Sequence, residues 1–411
     1  MRAYERLIRY TAYPTASDET CLSCPSTPAQ LFFAEKLAEE MRALDVQDVS
    51  IDENGYVFGT IPANIPDWKG VTIGFIAHMD VVDEVAYDGV KPRVVERYDG
   101  RDIVLNPELG IVLSPQDFPS LKNKVGKTLV VTDGTTLLGA DDKAGIAEIL
   151  TMAEILKNDP AIRHGDIKLG FTPDEEIGRG ADLFDVPRFG ADFAYTIDGG
   201  AFGEVEYETF NAASLKVTIN GLSTHPGTAK GVMKNAGLIA MEYASLLPEG
   251  ERPEKTEGYE GFFHLTSMRG QTERAELNYI LRDHDAAILE RRKEDARRAA
   301  AEIDRRYGEG TAEIEIRDSY RNMAEMVRPH WHLIETAYEA VREAGGVPVS
   351  VPVRGGTDGS RLSYMGLPCP NLATGGYNAH GRMEYACAEE MDACVETMLG
   401  IAKKYAVMKL Q

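Results

Sequence analysis

The strongest constraint on the fold is a pattern that recurs along the chain. The run Val71 to Ala77 has the length and composition of a fully buried strand, and it stops at His78, with Asp80 two residues on. Four later segments end the same way. Asp141 lies in Leu138-Gly-Ala-Asp-Asp-Lys-Ala-Gly145, which leads into a helix. Glu175 and Glu176 follow the strand Ile167–Phe171, and Asp198 follows the strand Phe193–Ile197. His380 closes the glycine-rich turn Gly375-Gly-Tyr-Asn-Ala-His380. Buried strands alternating with helices predict an open α/β sheet, and polar clusters at the strands' carboxyl ends place a ligand in the crevice along that edge.

The intervening chain reads as follows. Met1-Arg-Ala-Tyr-Glu-Arg-Leu7 predicts an amphipathic helix. A firm helix starts at Thr27, with Pro28 in its first turn and Gln30 completing a capping box. Asn54-Gly55 predicts a hairpin turn between Val49–Ile51 and Tyr56–Thr60. Residues 83–135 are loop-rich, with short strands near Val94–Glu96 and Thr128–Val131. Ile146, Ile149, Leu150, Ala153 and Leu156 form the apolar face of the helix after Asp141.

After about residue 208 the style changes. Ser214–Ile219, Leu277–Leu281 and Ala312–Arg317 predict half-exposed strands, and Met233–Leu246 and Asp285–Tyr307 predict helices. The α/β pattern then resumes: a helix from Pro329 to Gly345 or Gly346, a strand Val349–Val353 leading into Arg354-Gly-Gly-Thr-Asp-Gly-Ser360, and a last helix Glu389–Tyr405. The expected architecture is a discontinuous, mixed-sheet α/β catalytic domain (residues 1–208 and 322–411) carrying an inserted α+β domain (residues 209–321).

Composition narrows the partners. The 411 residues carry 44 basic and 66 acidic side chains, a net charge of −22. That balance argues against nucleic acid, whose phosphates need basic patches, and against an anionic membrane. It fits solubility in a crowded cytoplasm. No apolar run approaches the roughly 18–20 residues that span a bilayer, and the N-terminal stretch lacks a signal-peptide core. Five cysteines are sparse; Cys21 and Cys24 form a C-x-x-C in a Thr/Ser/Pro-rich loop with no second pair, and a reducing cytosol is the expected compartment.

Each candidate residue has an ordinary reading. A strand-end His is usually structural, Asp-Asp-Lys before a helix is usually a cap with a solvated neighbour, Glu-Glu is usually an acidic first turn, and Asp-Gly-Gly is a common turn. Coincidence at the same structural position in every segment is what these readings cannot supply. A His and carboxylate mixture suits zinc, cobalt or manganese. The groups outnumber what one tetrahedral ion needs, whereas two ions sharing one carboxylate use them all and leave one Glu over as a base.

Together with Ala77-His-Met-Asp80, Phe171-Thr-Pro-Asp-Glu-Glu-Ile-Gly-Arg-Gly180, Thr196-Ile-Asp-Gly-Gly200 and Ser223-Thr-His-Pro-Gly227, these segments make the chain resemble the M20 family of metallopeptidases over essentially its whole length. The resemblance implies two zinc ions, with His78 and Asp198 on one, Glu176 and His380 on the other, and Asp141 bridging. It implies a cis Asp141–Asp142 peptide, an Asp80 that orients His78 through its far ring nitrogen, and Glu175 as general base to a metal-bridging water. His225 is the candidate oxyanion donor, Arg282 the candidate partner of the substrate's C-terminal carboxylate, and Arg354 and Asn378 are further substrate candidates. The activity so implied is an aminopeptidase releasing the N-terminal residue of tripeptides, with the inserted domain as lid and as a homodimer contact. The alternatives are another amidohydrolase of the family (dipeptidase, carboxypeptidase or N-acyl amino acid deacylase), or a binding protein that keeps the fold without the chemistry.

Overall fold

The computed structural model describes residues 1–408. The chain divides into two compact units, one of residues 1–207, 325–351 and 357–411, the other of residues 208–324 and 352–356. The last three residues of the expected 322–411 segment lie outside the described residues.

The first unit is built on a seven-stranded mixed sheet. Its strand order is Gln47–Ile51, Val57–Ile61, Ile167–Thr172, Ile73–His78, Phe193–Gly199, Asn371–Ala373 and Val205–Glu206. Four central strands run parallel: Ile73–His78 pairs with Ile167–Thr172 and with Phe193–Gly199, which pairs in turn with Asn371–Ala373. The outer strands are antiparallel. All six residues of Ile73–His78 are buried, as expected for a parallel strand covered on both faces. In this sheet His78 stands directly opposite Thr172, so the chain leaves two neighbouring strands at one edge, and the Asp198 strand ends there too.

One face of the sheet carries the helix Ala140–Asn158, with Ala3–Tyr10 and Ala388–Tyr405 packed on it and His332–Glu343 on Ala388–Tyr405. The other face holds an aromatic core of Tyr56, Phe58, Phe184 and Phe189 with Ile76, Leu362 and Leu367. A small antiparallel sheet lies beside it in the order Gly376–Tyr377, Tyr385–Cys387, Leu129–Val131, Arg93–Val95. The hairpin turn at Gly55 has φ +86°, which is why glycine stands there.

The second unit has one four-stranded antiparallel sheet, ordered Phe262–Gly270, Arg274–Asp283, Asn211–Asn220, Ala312–Tyr320. Helices Ala236–Leu246 and Ala286–Tyr307 pack on it over a core that includes Leu215, Val217, Tyr243, Leu277 and Ile303. Asp285 caps the long helix through the amides of Ala287 and Ile288.

Two local expectations fail. Thr27 does stand at the N-cap of Pro28–Ala43, but its side chain makes no cap bond. Gln30 donates instead to the Asp174 carboxylate (2.7 Å) and accepts from the Asp174 amide (3.0 Å), so no capping box forms. Val349–Val353 is no strand: only isolated bridges form, at Val349 and Val353, because Pro348 and Pro352 have no N–H to give a ladder. Phe262–Gly270 is the fourth strand of a sheet expected to have three or four, and only its position was unmarked. Among the described residues no helix is long and apolar enough to cross a membrane.

Candidate metal and catalytic site

The carboxyl edge of the central sheet collects His78, Asp141, Glu175, Glu176, Asp198 and His380. The ligand atoms of His78, Glu175 and Asp198 lie within 4.8 Å of one another, as do those of His78, Asp141 and Glu176. Asp141 sits between the two imidazoles. Its Oδ1 is 3.0 Å from His78 Nε2 and its Oδ2 is 3.2 Å from His380 Nε2. Asp198 Oδ1 lies 3.5 Å from His78 Nε2, and Glu176 Oε2 lies 3.0 Å from His380 Nε2.

His78 is held in one orientation. Its Nδ1 is 3.1 Å from the Asp80 carbonyl oxygen. A carbonyl can only accept, so Nδ1 carries a hydrogen, and Nε2 is the ring nitrogen turned toward Asp141 and Asp198. Asp80 meets this ring twice at Nδ1, through its backbone carbonyl and, at 3.5 Å, through Oδ1. The Asp80 carboxylate also accepts from the amides of Glu175 (3.0 Å) and Glu176 (3.1 Å). One buried residue thereby aligns the His78 strand with the loop that carries both glutamates.

The Asp141 loop is tightly made. Gly139 has φ +75°, the Asp141–Asp142 peptide is cis, and Asp141 and Asp142 depart from helical backbone angles at the head of Ala140–Asn158. Asp142 is fully buried rather than solvated; its Oδ2 accepts from the His78 amide at 3.1 Å.

Charge is dense here. Burial works against protonation of His78, yet the carboxylates of Asp198, Asp141 and Asp80 hold its pKa well above the usual value. Hydrogen bonds to Asp141 and Glu176 push His380 up to about 11. Burial and the Asp141 charge raise Glu176 to about 8, and burial raises Asp198 to about 6. Burial lifts Glu175 well above the carboxylate range. Asp141 goes the other way: burial opposes its ionisation, but bonds from both imidazoles hold it well below the usual range. Carboxylates at this density want a compensating cation. The residues fit one or two. The donors are imidazole nitrogens and carboxylate oxygens, one carboxylate reaches both imidazoles, and Glu176 Oε1 is buried with no hydrogen-bond partner.

The substrate candidates are divided between the two units. Asn378 has φ +57° and donates to the Met383 carbonyl, shaping the turn before His380. In the second unit His225 is exposed, and its Nδ1 accepts from the Gly227 amide at 3.1 Å, which leaves Nε2 as the donor. Arg282 lies over the Tyr320 ring and donates to the Leu281 carbonyl. Arg354 lies in the second unit as well. It donates to the carbonyls of Gly258, Glu260 and Thr256 and to Thr256 Oγ1, and it lies over the rings of Phe210 and Phe262. That makes it an anchor for the 256–260 loop.

Three supporting residues escaped the sequence reading. Asn371 accepts from the Asp198 amide and donates to Glu206. Asp358 is buried, and burial lifts its pKa to about 7. Glu384 accepts from three amides around Asp141. A signal existed only for Asp358, inside the quoted Gly-Gly-Thr-Asp-Gly segment.

A mixed α/β sheet with imidazoles and carboxylates converging on one edge defines the class, and sequence comparison agrees. The model of peptidase family M20/M25/M40 matches residues 131–404, and the chain belongs to that family. Among its relatives is Peptidase T of Caldanaerobacter subterraneus, 53% identical over 404 residues and covered to 98% in both chains. Solved structures with this fold include the aminopeptidase PepT of Bacillus cereus (TM-score 0.77, 23% identity, 98% of each chain) and a tripeptidase of Staphylococcus aureus (TM-score 0.78, 22% identity, 99% of this chain and 98% of that one).

Proposed function

We propose that this protein is a metal-dependent aminopeptidase that releases the N-terminal residue of tripeptides. The observation that carries the reading is Asp141, with one oxygen on each imidazole, in a chain 53% identical to Peptidase T over its whole length. His78 and Asp198 would hold one ion, Glu176 and His380 the other, and Asp141 would bridge. Zn²⁺ is the ion proposed; the same donors accept Co²⁺ or Mn²⁺. When bound, such a pair supplies Lewis acidity and lowers the pKa of water toward about 7.

The chain's own residues supply the rest. Glu176 is paired with His380, which leaves Glu175 to take the proton from the attacking water and deliver one to the leaving amine. Asp80 holds the Glu175 backbone by its amide and fixes the His78 tautomer by its carbonyl. His225, with Nε2 as a donor, is proposed to stabilise the oxyanion. Arg282 is proposed to take the substrate's C-terminal carboxylate, which would set peptide length. Asn378 is proposed to contact the substrate beside His380.

A homodimer through the second unit is proposed as well, since Phe262–Gly270 stands at the sheet edge with Leu265 and Met268 exposed. Light scattering in solution tests it, and a monomer would exclude it. A cytoplasmic location is proposed on the strength of five unpaired cysteines.

The activity is tested by end-product analysis on Leu-Gly-Gly, a dipeptide, a tetrapeptide and an N-acetyl amino acid, each with and without chelator. Free Leu plus Gly-Gly, lost with chelator, is the expected result. Release of C-terminal Gly, or cleavage of the N-acetyl amino acid alone, would assign one of the other amidohydrolase activities.

A further inference from the structure

Glu384 is a carboxylate for which the proposed chemistry has no use. It is 2% exposed, and all the acceptors it offers are turned onto one backbone loop. Oε2 accepts from the amides of Leu138 (2.7 Å) and Gly139 (2.7 Å), and Oε1 accepts from the amide of Asp141 (3.0 Å). Three amides converging on one carboxylate form an anion-binding concavity of the kind a left-handed residue creates, and Gly139 at φ +75° supplies that residue. The side chain of Lys143, two residues after Asp141, is buried as well. It is tied down by a 2.6 Å hydrogen bond to the Tyr13 carbonyl.

The position of Glu384 in the chain matters as much as its bonds. It lies four residues after His380, its amide donates to the Gly381 carbonyl (3.2 Å), and it immediately precedes the strand Tyr385–Cys387. That strand is paired with Leu129–Val131, which leads into the Asp141 loop. Glu384 therefore joins two ligand loops at their bases. On one side it is covalently continuous with the His380 turn; on the other it grips the backbone of Asp141. Asp141 Oδ2 and His380 Nε2 are 3.2 Å apart, and the Glu384 carboxylate adds a second link between the two loops, through the Asp141 amide. A partner hydrogen-bonded behind a ligand commonly changes metal affinity or activity by about 10–100-fold when it is removed.

We infer that Glu384 is a positioning residue that sets the placement of Asp141 relative to His380, and through it the affinity of the ion site formed by Glu176, His380 and Asp141. The inference rests on the two-ion reading above. Glu384→Gln keeps size and one acceptor oxygen but turns an NH₂ group toward backbone N–H groups. Glu384→Asp keeps the charge and shortens the reach by one methylene.

The test reconstitutes metal-free wild type and both variants with Co²⁺. It follows the visible absorption band against equivalents added, the melting temperature of the metal-free proteins, and kcat and KM on Leu-Gly-Gly. The expected result for Glu384→Gln is a metal-free melting temperature close to wild type, a first equivalent bound normally and a second bound at least about 10-fold more weakly. Its kcat falls at least about 10-fold while KM moves less than about threefold, and Glu384→Asp recovers part of both losses. Two equivalents bound by Glu384→Gln as by wild type, with kcat within about twofold, would overturn the inference. So would two variants that both fail to fold without metal, because the carboxylate would then serve the fold as a whole. Wild type that takes up a single equivalent would overturn the two-ion reading itself, a result separable from either variant's behaviour.

Discussion

Two carboxylates show how differently burial can be used. Asp80 is fully buried and satisfied: it accepts from two amides and lends its carbonyl to His78. Asp80→Asn keeps the carbonyl bond and sets an NH₂ against one of those amides. It should lower kcat by about 10–100-fold with little change in fold, checked by steady-state kinetics beside circular dichroism. Glu148 is buried with neither oxygen hydrogen-bonded, and burial, with some help from the Asp392 charge, raises its pKa well above the usual range. The folded protein thus keeps this proton to higher pH than the unfolded chain does. Its contribution to stability is fully present below the unfolded pKa and is lost as pH rises toward the folded one. Glu148→Gln removes the charge, so its melting temperature relative to wild type should be more favourable at pH 8 than at pH 5. The change in that difference between the two pH values should be about 1 kcal/mol or more, since each unit by which burial raises the pKa is worth about 1.4 kcal/mol. Equal differences at both pH values would contradict this.

Between elements, close approach sets the site. Gly145, in the first turns of Ala140–Asn158, has no room for a side chain: an added Cβ would stand 2.0 Å from the Ile197 carbonyl oxygen and 2.6 Å from Asp142 Oδ1. Gly145→Ala must push the helix off the Asp198 strand, at a cost of at least about 1–3 kcal/mol, measurable by denaturant unfolding. Gln30 ties the helix Pro28–Ala43 to Asp174, next to Glu175. Gln30→Leu strands the Asp174 amide and should cost about 1–3 kcal/mol. These ties also mark where sequence reasoning stopped. The parallel strands and the long helices were legible because buried runs and 3.6-residue periodicity are local signals. Phe262–Gly270 was not, because its last seven residues are exposed and show no alternation. Gln30 was misread because a capping box and a bond to a residue 144 positions away use the same side chain.

At the scale of the molecule, the candidate ligands were legible because each stands at a strand end or glycine turn, and topology brings those ends together. Glu384 and Asn371 were not, because an isolated acid or amide in a loop looks solvated until the partner amides are placed around it. Burial works against ionisation of Glu175, Glu176 and Asp198 in the assembled cluster, and a cation would offset it. Chelation should therefore abolish turnover and lower the melting temperature by several degrees; an ion present at 1,000 times its Kd stabilises by about 4 kcal/mol. Scanning calorimetry with and without chelator checks this. The most direct test of the account is Glu175→Ala, assayed for bound metal and for turnover of Leu-Gly-Gly on the same sample. The account predicts two ions per chain, as in wild type, with kcat lowered by about 10²–10⁴-fold. A variant with both ions and near-normal turnover would contradict it.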